Sequence, residues 1–190
     1  PTSEEYEKHE HIIFSLDNEL DLRYKDVRKF GVMILVKTKD IYNTDEISKL
    51  GIEPDDVKLT KEYIYNKIHK SNKPIKELLL DQSIINGFGN IYVDEVLFAS
   101  HILPNRLGNT ITIDECNSIK EEGTIIIKKA TECGGTTIRS YTSSLGVEGK
   151  YQDYLKVHTK VGLPCPICGT IIEKTRVGGR GTYYCKNCQK

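Results

Sequence analysis

The first third of the chain carries short runs of apolar residues of the kind that form β-strands. Residues 12–16 and 22–24 predict two strands, separated by a turn at Asp17-Asn18. A continuous apolar run over residues 32–36 predicts a third, buried strand. The opening segment is therefore expected to belong to a β-rich unit.

The pattern changes within residues 50–56, where glycine, proline and two acids follow one another. Beyond that point, apolar residues recur with a helical period and predict helices over residues 60–69, 75–80, 91–100 and 113–130. The sequence thus predicts an α+β fold. We expect the remainder of a β-rich domain over residues 1–52, a helical domain over residues 53–160 and a small cysteine-bearing module over residues 161–190.

Two pairs of cysteines close the chain. Each pair has two residues between its thiols, and sixteen residues separate Cys165 and Cys168 from Cys185 and Cys188. This spacing suits a tetrahedral Zn²⁺ site with four thiolate ligands, which would hold structure and leave no position open for chemistry. Two disulfides or four buried thiols are the alternatives. Between the pairs, residues 171–172 and 183–184 predict a β-hairpin whose glycine-rich tip carries Arg180.

The charges are balanced over the whole chain but are unevenly distributed. The formal net charge is zero, whereas residues 21–39 carry six bases and two acids, and residues 58–80 carry six lysines and two glutamates. Such basic stretches favour a surface that binds a polyanion, although a solvated helix face has the same composition. No apolar run is long enough for a transmembrane helix, so no membrane partner is expected. Cys116 and Cys133 are predicted to be buried free thiols, which fits a reducing cytoplasm.

A glycine-containing segment over residues 81–92 joins two predicted helices. A lone Gly-x-Gly is a weak signal, because the third glycine of a dinucleotide fingerprint is absent. What remains is a tight turn and a second helix, which we expect Asn90 to cap. The amides at that helix start could hold a phosphate, or the segment could be only a well-capped joint.

Residues 87–95, Gly-Phe-Gly-Asn-Ile-Tyr-Val-Asp-Glu, together with the cysteine hairpin, resemble the formamidopyrimidine-DNA glycosylases. Further matches at residues 8–11, 22–31 and 50–54 extend the resemblance over essentially the whole chain. The resemblance implies a bifunctional glycosylase and apurinic-site lyase that removes oxidised purines from damaged double-stranded DNA. It implies a helix-two-turn-helix module and a zinc hairpin that both grip the DNA backbone, with one structural Zn²⁺.

The resemblance also assigns individual DNA contacts. Asn90 and Arg180 would contact phosphates, and Arg180 holds the family's proton-donor position at the hairpin tip. Arg28 and Phe30 would probe the duplex, the arginine bonding the unpaired base and the ring acting as a wedge. Without the resemblance, these two would pass as a surface arginine and a core phenylalanine.

Other family positions are matched less closely. His9 corresponds to a DNA contact, although its acidic neighbours would suit an ordinary surface residue. Arg139, Ser140 and Tyr141 correspond to the loop that closes over the extruded base. The family has a basic residue where this chain has Asn72, so we assign that contact to Lys73, with Lys70 as the alternative.

The front of the chain departs from the family. Family members begin with a proline nucleophile beside a glutamate, whereas Pro1 is followed by Thr2 and Ser3 and soon by the segment around His9. We therefore expect the chain to resemble the last two thirds of the enzyme, and Pro1 not to act as nucleophile. On this interpretation the chain binds DNA without excising 8-oxoguanine.

Three functional interpretations follow from these observations. The parent protein would be an oxidised-purine glycosylase, while the chain alone could be a catalytically inactive DNA-binding module. An endonuclease VIII-like glycosylase for oxidised pyrimidines is the nearest rival. In each case we expect a monomer in the bacterial cytoplasm, associated with the nucleoid.

Overall fold

The structure is a computed structural model, and it describes residues 2–137 and 149–190. The chain divides into two units, Pro1–Thr44 and Asp45–Lys190. The second unit contains both the helical region and the cysteine hairpin. The α+β fold expected from the sequence is confirmed.

The first unit is built on an antiparallel pair of strands, β1 (Glu10–Ser15) and β2 (Asp21–Lys25). Their register places Phe14 opposite Leu22, and the connecting turn contains the residues predicted from the sequence. A short 3₁₀ helix follows at Thr38–Asn43. The two predicted strands of this unit are thus confirmed, with bounds shifted by one or two residues.

The predicted third strand is wrong. Residues 32–36 form no strand within the described part of the chain, and the side chain of Leu35 is fully exposed. An apolar run becomes a strand only where a neighbour pairs with its backbone amides and carbonyls, and neither β1 nor β2 does so here. The apolar pattern could not reveal whether such a neighbour exists.

The described residues of the second unit form five α-helices and a β-hairpin, with bounds α1 (Asp45–Ser48), α2 (Lys61–Ile68), α3 (Ile75–Leu79), α4 (Asn90–Ala99), α5 (Ile113–Glu132), β3 (Glu173–Val177) and β4 (Arg180–Tyr184). Short 3₁₀ turns lie at Gly108–Thr110 and Tyr151–Tyr154. Helices α2 to α5 match the four predicted helices to within two residues at each end. None of the helices in the described ranges is long and apolar enough to cross a membrane.

Local signals explain where two of these helices begin. The hydroxyl of Thr60 accepts a hydrogen bond from the amide of Tyr63 at the start of α2. At the start of α5, Thr112 and Glu115 form a reciprocal capping box. Arg106 pairs with the same glutamate and thereby ties the preceding loop to the helix.

The main core of the second unit lies between α2, α4 and α5. Ile64, Val93 and Ile119 are completely buried there, and the ring of Phe88 packs against the backbone of α5. Cys116 is buried in this core, and its burial raises the pKa of its thiol to about 12. Cys133 is only half-buried, so the prediction of two buried thiols holds fully for Cys116 alone.

A smaller core joins the hairpin to α4. Phe98 from the end of α4 packs with Val157, Ile172 and two of the hairpin cysteines. This contact attaches the hairpin to the helix that begins at Asn90. The orientation of the hairpin is therefore set by α4.

Candidate nucleic-acid interface

The four hairpin cysteines converge as their spacing predicts. Their sulfur atoms all lie within 4.8 Å of one another, with 3.8 Å between the sulfurs of Cys165 and Cys188 and 3.5 Å between those of Cys168 and Cys185. A tetrahedron with Zn–S distances of about 2.3 Å has edges of about 3.8 Å. The four sulfurs therefore already occupy positions that fit a Zn²⁺ ion.

Backbone hydrogen bonds and local electrostatics support this arrangement. The carbonyl of Cys165 accepts the amide of Gly169 at 2.9 Å, and the carbonyl of Cys185 accepts the amide of Gln189 at 3.1 Å, so both pairs sit in tight turns. Hydrogen bonds from Thr170 lower the pKa of Cys168 to about 5. Burial raises the pKa of Cys185, and a cation at the centre of the site would favour its thiolate.

The hairpin ends in a two-residue turn. Val177 pairs with Arg180, and Gly178 and Gly179 between them have φ angles of 55° and 73°. Positive φ at both central residues defines the type I′ turn that matches the twist of a hairpin, and glycine adopts it without steric cost. Arg180 is consequently the first residue of β4, and its side chain is exposed. The predicted hairpin is confirmed, but its first strand begins at Glu173 because Ile171 instead forms an isolated bridge with Pro164.

Asn90 lies beside this tip. Gly89 is the N-cap of α4 and Asn90 is its first helical residue, so the expectation that Asn90 caps the helix is wrong. Its side-chain Nδ2 instead donates a hydrogen bond of 3.1 Å to the carbonyl of Gly181, the residue after Arg180. Its Oδ1 is buried without a hydrogen-bond partner among the described residues. The structure thus brings together two predicted phosphate contacts that are far apart in the sequence.

The start of α4 adds backbone donors to this region. The first amides of any α-helix have no partner within the helix, and the helix dipole places partial positive charge there. The hydrogen bond from Val93 to the carbonyl of Gly89 is the first of the helical ladder. The N-terminus of α4, Asn90 and Arg180 together form a surface suited to an anion.

Residues 135–137 and 149–151 lie next to the same helix end. The amide of Tyr151 donates to the carbonyl of Gly135 at 3.0 Å, and the amide of Gly149 donates to the hydroxyl of Thr137 at 2.9 Å. The hydroxyl of Tyr92, from the first turn of α4, hydrogen bonds that of Thr136 at 3.1 Å. Residues 135–137 and 149–151 are therefore anchored near Asn90. The predicted lesion-loop residues Arg139, Ser140 and Tyr141, like Pro1, lie outside the described residues.

The lysines near residue 72 are exposed. The side-chain Oδ1 of Asn72 accepts a hydrogen bond of 2.8 Å from Asn109, so this side chain is occupied within the protein. Lys70 and Lys73 both point to solvent, and the positive charge of Lys73 helps to lower the pKa of Asp81 after the hydrogen bonds from Ser83. Both lysines remain available for an anion.

The remaining predicted contacts belong to the first unit. The guanidinium of Arg28 lies over the ring of Phe30 at 4.5 Å from its centroid, and this ring is 73% exposed. Asp26 organises the loop that carries both side chains, because its carboxylate accepts the amides of Arg28 at 2.9 Å and Gly31 at 2.8 Å. These bonds, led by that from Gly31, lower the pKa of Asp26. His9 is half-buried and has a positive φ of 78°.

The sequence interpretation overlooked a buried charged cluster behind the hairpin. The Nζ of Lys76 donates to Asp94 at 2.6 Å, the other carboxylate oxygen of Asp94 lies 2.8 Å from Nδ1 of His158, and both Lys76 and Asp94 are fully buried. Glu95 accepts the backbone amides of residues 156–158 at 2.8–3.0 Å, and burial raises its pKa. Two adjacent acids among the apolar residues of α4, and a lysine beside Ile75, were the available signals.

Comparisons with known proteins agree with this geometry. Residues 50–142 match the formamidopyrimidine-DNA glycosylase H2TH domain, and residues 162–190 match the zinc finger found in FPG and IleRS. With the four converging sulfurs, the second match identifies the hairpin as a site for one structural Zn²⁺.

Similar proteins cover both units. The formamidopyrimidine-DNA glycosylase of Bacillus cereus is 47% identical over 186 residues, which are 98% of this chain and 67% of the relative. That of Ureaplasma parvum is 44% identical over 95% of this chain and 66% of the relative. The chain thus spans about two thirds of the length of these relatives.

The solved structures that match this chain point to the same family. The Lactococcus lactis Fpg in complex with DNA containing an abasic site matches with a TM-score of 0.90 and 38% identity, over 99% of this chain and 69% of that one. The MutM (Fpg) protein of Thermus thermophilus matches with a TM-score of 0.89 and 33% identity, over 97% of this chain and 70% of that one. On its sequence, its fold and its zinc hairpin, the chain belongs to the formamidopyrimidine-DNA glycosylase family.

Proposed function

We propose that this chain serves base-excision repair, as the DNA-gripping part of a DNA glycosylase and apurinic-site lyase that acts on oxidised purines. The observation that carries the proposal is the hydrogen bond from Asn90 to Gly181, which joins the start of α4 to the tip of the zinc hairpin. Relatives in the same family have been solved with DNA that contains an abasic site or a formamidopyrimidine lesion, which supports damaged duplex DNA as the partner.

The chemistry of the joined surface suits a DNA backbone. The guanidinium of Arg180 can donate two parallel hydrogen bonds to one phosphate, and the amides at the start of α4 can donate to the next. Phosphate contacts of this kind set the register of the protein on the duplex and carry no sequence information. Arg180 would also supply the proton at the family's donor position, and Lys73 would add a further phosphate contact.

The loop of the first unit suits an opened base pair. In the proposed complex Phe30 enters the stack where the damaged nucleotide has left it, and Arg28 hydrogen bonds the unpaired partner base. The backbone amide bonds that Asp26 accepts hold the loop that carries both side chains before DNA binds. His9 would contact the backbone, and Arg139, Ser140 and Tyr141 would lie against the extruded base.

The zinc ion has a structural part in this proposal. Zn²⁺ with four thiolates has no open coordination position, so it fixes the hairpin and does no chemistry on DNA. We further propose that the protein works as a monomer in the bacterial cytoplasm, on the nucleoid. A reducing compartment keeps the four thiols available to the metal.

Two arginines of the hairpin provide a matched test. Arg176 pairs with Gly181 and Arg180 with Val177, so their side chains lie on opposite faces of the hairpin. The probe is a labelled duplex with a tetrahydrofuran abasic-site analogue, and its affinity is measured between about 50 and about 300 mM salt, a range of roughly the breadth needed to define a salt slope. We expect Arg180→Ala to weaken binding about tenfold and to reduce the slope of log affinity against log salt by about one.

Arg176→Ala is the control with the same loss of charge, and we expect it to change affinity by less than about twofold. Equal effects of the two substitutions would contradict the assignment of Arg180. A second panel compares duplexes with 8-oxoguanine and with an oxidised pyrimidine. Tighter binding of the oxidised pyrimidine would favour the endonuclease VIII-like alternative.

A further inference from the structure

The outer edge of β4 is bound by side chains from two helices. Gly181 and Tyr183 pair with Arg176 and Lys174, at positions where the backbone groups of an antiparallel hairpin point away from the partner strand. The carbonyl of Gly181 accepts the Nζ of Lys76 at 3.0 Å in addition to Asn90, and the amide of Tyr183 donates to Asp94 at 3.3 Å. Three side chains of α3 and α4 therefore replace the missing neighbour strand.

Stability alone does not explain why the charged side chain of Lys76 is buried. Its side chain is fully buried, and it donates hydrogen bonds to Asp94 and to the Gly181 carbonyl. A buried ion pair is often no more stabilising than well-packed apolar residues of the same size, because both charges lose their hydration. What such a pair can supply is a directional contact, and here the direction is toward the hairpin tip.

The hydrogen bonds that hold Gly181 act one peptide unit away from Arg180. Lys76 and Asn90 both donate to the carbonyl of Gly181, so the residue that follows Arg180 is held by α3 and α4 together. The side chain of Glu77, next to Lys76, lies against Gly178 on the other side of the turn. Burial lowers the pKa of Lys76, Asp94 opposes that shift, and the charge of Arg180 adds to the lowering.

We propose that Lys76 is a positioning residue, which together with Asp94 holds the Gly181 carbonyl and thereby sets where Arg180 presents its donors to DNA. This inference rests on the proposed DNA-binding function. Lys76 is enclosed and does not touch the DNA itself. Its effect on binding must therefore pass through the hairpin tip.

A double-mutant cycle tests that route. The pair variant Lys76→Met with Asp94→Asn removes both charges and keeps the sizes close, and the side-chain carbonyl that Asp94→Asn introduces can still accept the amide of Tyr183. Affinity for the abasic-analogue duplex and its salt slope are measured for the wild-type chain, the pair variant, Arg180→Ala and the combination of both. Lys49→Met with Asp45→Asn, an exposed ion pair at α1, controls for the loss of one charge of each sign.

We expect the pair variant to weaken binding by about three- to tenfold and to reduce the salt slope, while the Lys49–Asp45 control changes affinity by less than about twofold. In the Arg180→Ala background, the pair variant should cost less than about twofold, because the contact that it positions is already gone. A role in overall stability alone would weaken binding equally in both backgrounds.

The outcomes separate the two proposals. If Arg180→Ala leaves affinity unchanged, the assignment of Arg180 fails and this inference fails with it. If Arg180→Ala weakens binding but the pair variant is silent or strictly additive, only the positioning role of Lys76 is overturned.

A second measurement is needed if the pair variant no longer binds zinc or no longer unfolds cooperatively. Asp94→Asn alone keeps the size of the side chain, but it cannot accept from both Lys76 and Tyr183 as the carboxylate does. We expect faster hydrogen exchange of the amides of residues 180–183 and weaker binding only when Arg180 is present. Unchanged exchange at these amides would overturn the inference.

Discussion

Gly123→Ala should destabilise the second unit, although alanine is the better helix former. Gly123 lies in the middle of α5, against the ring of Phe88. A β-carbon at Gly123 would lie 2.6 Å from Cζ of Phe88 and 3.5 Å from its nearer Cε atom. Phe88 itself is 1% exposed and stands two residues before Asn90. A change at Gly123 can therefore affect the proposed DNA surface through a displacement of Phe88.

Two effects of opposite sign compete. Glycine to alanine in a helix interior gains about 1 kcal/mol. Carbon atoms in contact prefer about 3.5–4.0 Å, so the ring would have to move by about 1 Å within a packed core. Overpacking of this kind costs about 1–3 kcal/mol. Because the ring is enclosed, we expect the upper part of that range and a net loss of about 1–2 kcal/mol in the free energy of unfolding.

Urea unfolding of the zinc-loaded chain, followed by circular dichroism, measures this change. Affinity for the abasic-analogue duplex should fall as well, because a displaced Phe88 moves the turn that leads into α4. The control adds Phe88→Leu, whose shorter side chain leaves room for the methyl group and should recover part of the lost stability in a double-mutant cycle. A gain of about 1 kcal/mol from Gly123→Ala alone would show that the ring does not constrain this position.

Three further predictions concern the metal, the first unit and a helix cap. Removal of Zn²⁺ by a chelator should unfold the hairpin and weaken DNA binding, since a two-stranded hairpin is marginal without added support; DNA affinity unaffected by complete zinc removal would contradict this. The lowered pKa of Asp26 means that its bonds to the loop of Arg28 are present above the ordinary value of 3.8 and are lost as the pH falls through a lower folded-state value. Amide chemical shifts of Arg28 and Gly31 should titrate below pH 3.8, and a midpoint at or above it would refute the assignment. Thr112→Ala should lower the free energy of unfolding by about 1 kcal/mol through loss of the α5 capping box, whereas Thr131→Ala at the exposed end of that helix should change it by less than half as much.

Much of this protein follows from local sequence signals. The two cysteine pairs predict a zinc site because each short spacing builds its own turn, and the sulfurs converge as expected. The four helical patterns are confirmed because the helical period and caps such as Thr112 act within a few residues. The hairpin turn at Gly178-Gly179 is local for the same reason. The DNA contacts of Arg28, Phe30 and Arg180 came from resemblance and stay predictions.

Tertiary structure decided what depends on distant partners. The apolar run at residues 32–36 carries a strand pattern, but pairing requires a neighbour that no local signal encodes. Asn90 has the composition of a helix cap, yet its amide bonds a carbonyl 91 residues away. Lys76, Asp94 and His158 meet behind the hairpin only after the smaller core has docked it on α4. Spacing along the chain determines contacts that a turn or a helix can close, whereas these contacts exist only because packing of apolar surfaces brings separate segments together.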